Sequence, residues 1–390
     1  MQQMANQSAT GTDPSAFVAS WLQTWMSNQT VNGFTSAQRT QINNLVIQPW
    51  ITRSGGPGHP LDLALAPFRL LAIVNRLNLR SAGVYGGGNA GEGRFVFGVM
   101  DSSCNPRPFT VIFEYGIPKA GCFSVRNWAQ QWEHLSSLTL GTAAFNAALE
   151  AITDQFTAAG ANPAKVGGTT LDQLRTDEIA LTFPWELREF HEVPLSGSQV
   201  QLQQVVVKQT TESSLNGATV LGDYINANQA QIQNNTYDVP TQFPPGQGFL
   251  GASSINQQDV WNASNIAVNT TSVPPVSTTL NPRHFFALGT CNGCHGRETA
   301  TPFLHIANRA AGSPAGLSGF LTGENNIPDP VVPSITYNFN DLLCAGPWTW
   351  TRWPTRPASS GFLFDRGASR TKRTSGPAYC DRLDSQGATS

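Results

Sequence analysis

Two pairs of short segments, rich in β-branched and aromatic residues, constrain the fold of this chain most strongly. RFVFGVM and FTVIFEYGI flank a connection that contains Cys104, and ELREFHEVPL is followed across a turn by SQVQLQQVVVKQT. Such runs, bounded by turn residues, are typical of neighbouring antiparallel strands. We therefore expect a mixed or antiparallel sheet.

Helical patterns precede and follow these segments. Asp13 and Pro14 form an N-cap and first-turn pair before a Trp-rich apolar stripe, and a second stripe contains Trp128 and Trp132. Strands and helices come in separate runs, without regular alternation, so the sequence predicts an α+β fold with packed helices and long irregular loops.

A polar stretch indicates how the chain is divided. Residues 235–282 are rich in Pro, Asn, Thr and Ser, which is long for a structureless loop inside one core. We expect an α+β domain over 1–278, with an extended loop over 235–278, and a small C-terminal region over 279–390.

Composition excludes two classes of partner. Only 12% of the residues are charged and the net charge is −2, with no basic stripe, so we expect no binding to nucleic acid. No stretch approaches the roughly 20 apolar residues that span a bilayer, so we expect no transmembrane segment. The opening residues, MQQMANQSATGTD, lack the basic and apolar regions of a signal peptide.

The stretch GTCNGCHGRET brings three potential ligand side chains close together in the chain, because Cys291, Cys294 and His295 form a C-x-x-C-H array. Two residues between the thiols let both sulfurs reach one edge of a porphyrin, and the adjacent imidazole then lies below the iron. The segment resembles the haem-attachment segment of c-type cytochromes, over about 20 residues. The resemblance implies covalent haem c on Cys291 and Cys294, with His295 as the proximal ligand.

The resemblance does not identify the ligand on the other side of the iron. The methionines are Met1, Met4, Met26 and Met100, so no Met follows the motif as it does in ordinary small carriers. His305 and His284 are the candidate metal ligands on that side, and each has a structural alternative as a hydrogen-bonded side chain. If neither binds, an open face would permit chemistry with peroxide or dioxygen.

Two alternatives stay open for the motif. A zinc ion would need two more ligands, for which His284 and His305 are the candidates. The two thiols would otherwise form a local disulfide in a secreted binding or structural protein, directed at glycans or at assembly. We expect a haem protein that works in electron transfer or redox catalysis, with a redox partner or a small-molecule oxidant.

The remaining cysteines bear on the compartment. Cys104 and Cys122 flank the predicted hairpin, and Cys344 and Cys380 bracket the C-terminal tail, so 104–122 and 344–380 are the simplest disulfides among the 15 pairings that six cysteines allow. This use of cysteine favours the periplasm or the extracellular space.

Two carboxylates support a further, weaker alternative. Glu114 lies in an apolar strand and Glu186 in a charged one, and together they would suit a glycoside hydrolase. Pairing of Glu114 with Arg94 or Arg188 is the structural alternative. The sequence leaves open whether the protein is an enzyme, what its oligomeric state is and which substrate it would use.

Overall fold

The structure is a computed structural model that describes residues 13–79, 90–119, 121–165, 168–195, 199–256, 261–267, 281–310, 313–339 and 362–364. Its centre is a sheet whose spatial order is β12-β3-β4-β5-β6-β7-β8, with β9 paired to β7. The strands are β1 (Gln29–Val31), β2 (Phe34–Ser36), β3 (Phe68–Arg76), β4 (Glu92–Met100), β5 (Pro106–Gly116), β6 (Leu171–Glu178), β7 (Glu186–Pro194), β8 (Val200–Val205), β9 (Ser254–Ile255), β10 (Ile327–Pro328), β11 (Thr336–Tyr337) and β12 (Phe362–Phe364).

The pairing of the central strands confirms the predicted sheet. From β3 to β8 each strand pairs antiparallel with the next along the chain, while β12 pairs parallel with β3. Both predicted pairs, β4 with β5 and β7 with β8, are present. The sequence did not predict β6, which lies between them.

The helices pack around this sheet. They are α1 (Pro14–Gln23), α2 (Gln48–Arg53), α3 (Gly121–His134), α4 (Ala143–Thr157), α5 (Thr219–Ala227), α6 (Gln229–Gln233), α7 (Pro282–Gly289), α8 (Cys291–Cys294) and α9 (Gly319–Thr322). A π-helical turn over Asn43–Ile47 leads into α2. Asp13 caps α1 as predicted, its carboxylate accepting a hydrogen bond from the backbone N–H of Ala16. Helices with a mostly antiparallel sheet make the fold α+β, as the sequence predicts.

One face of the sheet holds the main apolar core. Phe113 pairs with Leu174, and Leu174 with Phe190, so these side chains share a face. They pack in one cluster with the tryptophans of α1 and α3, and the rings of Trp25 and Phe190 lie 5.1 Å apart. Alternation along the strands therefore sends the apolar residues of β5, β6 and β7 toward the helices.

The opposite face is partly polar and carries the C-terminal region. Glu114 pairs with Gln173, and Arg175 with Glu189, so charged side chains alternate with the core residues. Apolar patches on this face receive Ile306, which packs against Ala72 and Val96. The segment after α7 is thus held directly against the sheet, and this contact positions the cysteine motif.

The proposed domain division stays a prediction. Phe286 and Ala287, from the proposed C-terminal region, share a buried cluster with Tyr224, Phe249 and Trp261 from before residue 279. The described part of the 235–278 loop therefore contributes to an apolar core. Residues 268–280 lie outside the described part of the chain.

Candidate functional site

Two short helices present the cysteine motif. The side chain of Asn281 accepts the backbone N–H of His284 at the start of α7, and that of Thr290 accepts the N–H of Gly293 at the start of α8. The indole N–H of Trp261 reaches both Thr290 Oγ1 (2.8 Å) and Asn292 Oδ1 (3.0 Å). A Cβ at Gly293 would overlap the carbonyl oxygen of Ala287, so glycine is required where α8 turns back against α7.

Both motif cysteines are free thiols, and the local disulfide alternative is not present in the structure. Cys291 is buried against Leu187, Val207, Phe303 and Leu304. Burial raises the pKa of the Cys291 thiol to about 11, and burial together with the neighbouring Cys291 raises the pKa of Cys294 to about 12. Both sulfurs therefore stay protonated near neutral pH, unlike the thiolate of a disulfide-exchange enzyme.

The orientation of His295 is set by its Nδ1 atom. Nδ1 lies 2.7 Å from the carbonyl oxygen of Phe303, and because a carbonyl only accepts, Nδ1 must carry the proton. The Asp177 carboxylate lies 3.5 Å from the same nitrogen. In the neutral ring Nε2 then has a lone pair, and it makes no hydrogen bond to the described residues. This tautomer is the one that metal-ligating imidazoles adopt.

His305 lies beside His295 and Cys294. Its Nδ1 is 2.8 Å from Ser318 Oγ, and its Nε2 is 3.4 Å from Cys294 Sγ. Burial lowers the pKa of His305 well below its usual value, and nearby His295, Arg76 and Arg94 lower it further. The imidazole of His305 is therefore neutral and lies next to the protonated thiol of Cys294. Their contact is an S–H···N hydrogen bond and not an ion pair.

A layer of paired charges lies on the same face of the sheet as the motif. Arg175 bridges Glu114 (2.9 Å) and Glu189 (2.8 Å), and Arg94 reaches Glu114 at 3.1 Å. Burial acts to raise the pKa of Glu114, but Arg175 and Arg94 outweigh it and lower that pKa. The pKa of Glu189 falls to about 2, because Arg175 and His191 outweigh burial. The predicted pairing of Glu114 with Arg94 is confirmed.

The two carboxylates of the glycosidase alternative are not brought together. Glu114 faces the motif side of the sheet, whereas Glu186 shares the helix-facing side with Arg188 and Phe190. Glu186 forms an ion pair with Arg39 and accepts a hydrogen bond from Ser36 at 3.0 Å. Burial acts to raise the pKa of Glu186, but Arg188 and Arg39 lower it. Both groups are therefore charges paired with arginines on opposite faces of the sheet, and the structure does not bring them together as a two-carboxylate site.

His284 belongs to a different cluster from the motif. Its Nδ1 is 2.6 Å from Glu298 and 4.0 Å from Asp329. Arg283 reaches both carboxylates at 2.7 Å, so a cation already occupies this cluster. His284, Glu298 and Asp329 are the group of described residues whose ligand atoms lie within 4.8 Å of one another. The zinc set that joins His284 to Cys291, Cys294 and His305 is not assembled.

The other cysteine predictions remain untested. Cys104 is exposed and forms no disulfide with a described side chain. The side chain of Cys122 and all of Cys344 and Cys380 lie outside the described part of the chain. The pairings 104–122 and 344–380 therefore stay predictions.

Several residues that shape the site were missed from the sequence. Asp177 and Arg175 lie on β6, and Ser318 and the carbonyl of Phe303 hold the two imidazoles. The only signal for the first two was the unusually polar strand LDQLRTDE. Ser318 and the Phe303 carbonyl reach the motif through the fold of the chain after residue 295. No local sequence pattern there predicts that fold.

The fold and the site define the class: an α+β protein with a C-x-x-C-H motif held against the polar face of a mainly antiparallel sheet. Comparison with family models, curated proteins and solved structures finds no match. No helix in the described residues has both the length and the apolar character needed to cross a membrane.

Proposed function

We propose that this protein carries a covalently attached haem at its C-x-x-C-H motif and works in electron transfer or in redox catalysis on that haem. One observation carries the proposal: Nδ1 of His295 donates to the Phe303 carbonyl at 2.7 Å, directly after two unpaired thiols. That hydrogen bond leaves Nε2 free to bind a metal, because a carbonyl that accepts the Nδ1 proton fixes the tautomer and the orientation of the ring.

Two thiols and an adjacent imidazole are the donor types that covalent haem requires. Cys291 and Cys294 would hold it through thioether bonds, and Nε2 of His295 would bind the iron. Bound haem would supply one-electron chemistry, and its axial ligands and surroundings would tune the potential. The chain contributes the Nδ1 partner at Phe303, the nearby Asp177 carboxylate, which makes the imidazole a stronger ligand, and the apolar shell around Cys291.

The position of His305 bears on whether it could also bind a haem held at the motif. When two imidazoles bind one metal ion from opposite sides, their ligating nitrogens lie about 4 Å apart. The centroids of the two rings are then farther apart than 4 Å. The ring centroids of His295 and His305 are only 4.3 Å apart. His305 therefore lies beside the proximal ring, in contact with Cys294, and thioether formation at Cys294 requires His305 to move aside.

A second candidate function follows from that same contact. Sulfur and nitrogen ligands of one tetrahedral zinc ion are about 3.5 Å apart, given bonds of about 2.3 and 2.0 Å. Cys294 Sγ and His305 Nε2 are 3.4 Å apart, and Nδ1 of His305 is held by Ser318. A mononuclear site made of Cys291, Cys294, His295 and His305 would be structural and would not be a redox centre. Its formation would require these side chains to draw together, because no three of their ligand atoms lie within 4.8 Å of one another in the structure.

One pair of preparations separates the two candidates. The chain is produced in a periplasm with cytochrome-maturation machinery and, separately, in a cytosol without it. We expect a pyridine haemochrome band that survives acid–acetone extraction in the first preparation, and its loss in the Cys291→Ala, Cys294→Ala double variant. Cys104→Ala is the matched control and keeps the band.

The contrary result is also defined. If no covalent haem forms while a control cytochrome matures, and the cytosolic protein binds one zinc per chain by elemental analysis, the ion site replaces the haem proposal. Export to the periplasm or the extracellular space is part of the haem proposal, since thioether formation takes place there. We propose a redox partner protein or a small oxidant as the species that exchanges electrons with the centre.

A further inference from the structure

One segment of the chain covers all three side chains of the cysteine motif. Phe303 packs in the same apolar cluster as Cys291, and its carbonyl oxygen accepts the Nδ1 proton of His295 at 2.7 Å. Two residues later, the Nε2 atom of His305 lies 3.4 Å from the sulfur of Cys294. Movement of this segment would therefore open the motif to reagents from solvent.

The covering segment has little regular structure of its own. The described residues of 303–318 form no helix or strand, and an isolated bridge between Ile306 and Leu317 joins their two arms. Beside that bridge the backbone N–H of Ala307 donates to the carbonyl of Gly316. Segments with few backbone hydrogen bonds open locally at a lower free energy than the core of a sheet does. We call the described residues of 303–318 the lid.

The backbone at the base of the lid is strained. Ala300 has a φ of 49° and Phe303 a φ of 73°, in the left-handed region that residues other than glycine rarely adopt. This conformation is unusual for a bulky aromatic residue, and strain of this kind clusters at ligand clamps and switch segments. Rotation about these two residues would release the strain, so the base of the lid is suited to act as a hinge.

A polar side chain fastens the lid to the sheet. Nδ2 of Asn308 donates to the carbonyl oxygens of Arg107 and Val99 (3.2 Å for Val99), where the register of β4 and β5 shifts. A Cβ at Gly98 would lie 2.5 Å from the Asn308 amide, so glycine leaves the space that this amide occupies. Ile306 adds an apolar contact with the sheet. Together these contacts hold the lid closed over the motif.

We propose that the lid turns about Ala300 and Phe303, is latched by Asn308, and opens without unfolding of the sheet to control access to the cysteine motif. Opening also removes the Phe303 carbonyl from His295, so this imidazole is oriented only while the lid is closed. That the access serves haem chemistry rests on the proposed function, whereas the opening itself is a property of the chain without haem.

Thiol labelling of the full chain, produced in a cytosol without haem, tests the proposal. Iodoacetamide modification of Cys291 and Cys294 is timed by mass spectrometry in buffer and at several urea concentrations below the unfolding transition. We expect rates that change little with urea, because opening of a lid exposes far less surface than global unfolding does. Exposed Cys104 is the internal reference.

A variant without the latch gives a second measurement. Asn308→Ala should speed the labelling of both motif thiols by about tenfold, the effect expected when the hydrogen bonds of one side chain are lost. Its labelling rates should also stay insensitive to urea. Asn234→Ala, at an exposed asparagine after α6, is the matched control and should leave the rates unchanged.

Two results would overturn the proposal. Labelling of the parent chain that rises with urea as steeply as global unfolding would show that the motif is exposed only when the whole chain unfolds. Parental labelling rates in a folded Asn308→Ala variant would show that Asn308 is not a latch. If Asn308→Ala does not fold, the urea dependence of the parent chain decides. A failure to attach haem in the periplasm would remove the proposed function and leave these labelling results unaffected, so the two proposals can fail separately.

Discussion

The imidazole rings of His295 and His305 lie 4.3 Å apart at an angle of 68°, and each is fixed through its Nδ1 atom. Phe303 holds the first ring and Ser318 the second, and Nε2 of His305 accepts the hydrogen bond from the Cys294 thiol. The two rings lie side by side and do not face each other across an open space.

That arrangement predicts the result of removing His305 from matured protein. If the proposed haem is attached, His305→Ala should leave its spin state unchanged, because His305 lies beside His295 and not on the other side of the iron. Absorption and electron paramagnetic resonance spectra of the parent and variant are the measurement. A low-spin to high-spin change in the variant would show that His305 swings across to the iron, against this prediction.

The motif thiols should react slowly with alkylating reagents in the absence of bound groups. Burial raises the pKa of Cys291 to about 11 and that of Cys294 to about 12, so at pH 8 their thiolate fraction is small. We expect modification to be slower than for an ordinary exposed thiol by about a hundredfold at Cys291 and about a thousandfold at Cys294. Mass spectrometry after timed iodoacetamide treatment measures this, with exposed Cys104 as the internal reference. Equal rates at the three cysteines in folded protein would contradict the burial argument.

Gly293 should tolerate no side chain. Its added Cβ would overlap the Ala287 carbonyl, so Gly293→Ala should lower the free energy of unfolding by about 1–3 kcal/mol, the usual cost of overpacking. The matched control is Gly316→Ala, where the nearest atom to an added Cβ is 3.6 Å away, and its effect should stay within about 0.5 kcal/mol. Urea unfolding of both variants makes the comparison, and equal stabilities would show that α7 and α8 separate at little cost.

Thr290 should contribute to the site through its hydroxyl group. It caps α8 and accepts a hydrogen bond from Trp261, so Thr290→Val should destabilise the protein by about 1–2 kcal/mol. Thr290→Ser keeps the oxygen and should recover most of that loss. Urea unfolding measures both variants, and tryptophan fluorescence reports any change around Trp261. If valine and serine behave alike, the cap is not what stabilises the motif.

Glu178 should make stability depend on pH on the helix-facing side of the sheet. It is fully buried, and burial raises its pKa to about 7, although Arg188 acts to lower it. The pKa of Glu178 is higher in the folded chain than in the unfolded chain, so between about pH 4.5 and 7 the folded chain binds one more proton. The protonated carboxyl group therefore favours folding at low pH, and this contribution to stability is lost as the pH rises to 7.

Replacing the carboxyl group tests that assignment. Glu178→Gln keeps the shape but does not titrate, so its stability relative to the parent should rise from pH 5 to pH 8 by on the order of 1–3 kcal/mol. Denaturant unfolding at several pH values is the measurement. A constant difference across that range would mean that Glu178 stays ionised beside Arg39 and Arg188.

The sequence by itself determined the strands β4, β5, β7 and β8, the helices with tryptophan faces and the α+β class, because these follow from local alternation, helical spacing and turn residues. It also placed Cys291, Cys294 and His295 in one motif, since their spacing is local. It did not reveal β6, whose polar residues face a covered side of the sheet.

Tertiary structure alone decided what surrounds the motif. Asp177 and Phe303 meet His295 only because the segment after α7 packs on the sheet, across separations of 118 and 8 residues in the chain. The register of the sheet separated Glu114 from Glu186. Packing after α7 placed His305 beside Cys294 while His284 paired with Glu298. Contacts between distant segments depend on which faces pack against each other. The hydrophobic periodicity of one segment does not indicate which other segment it will contact.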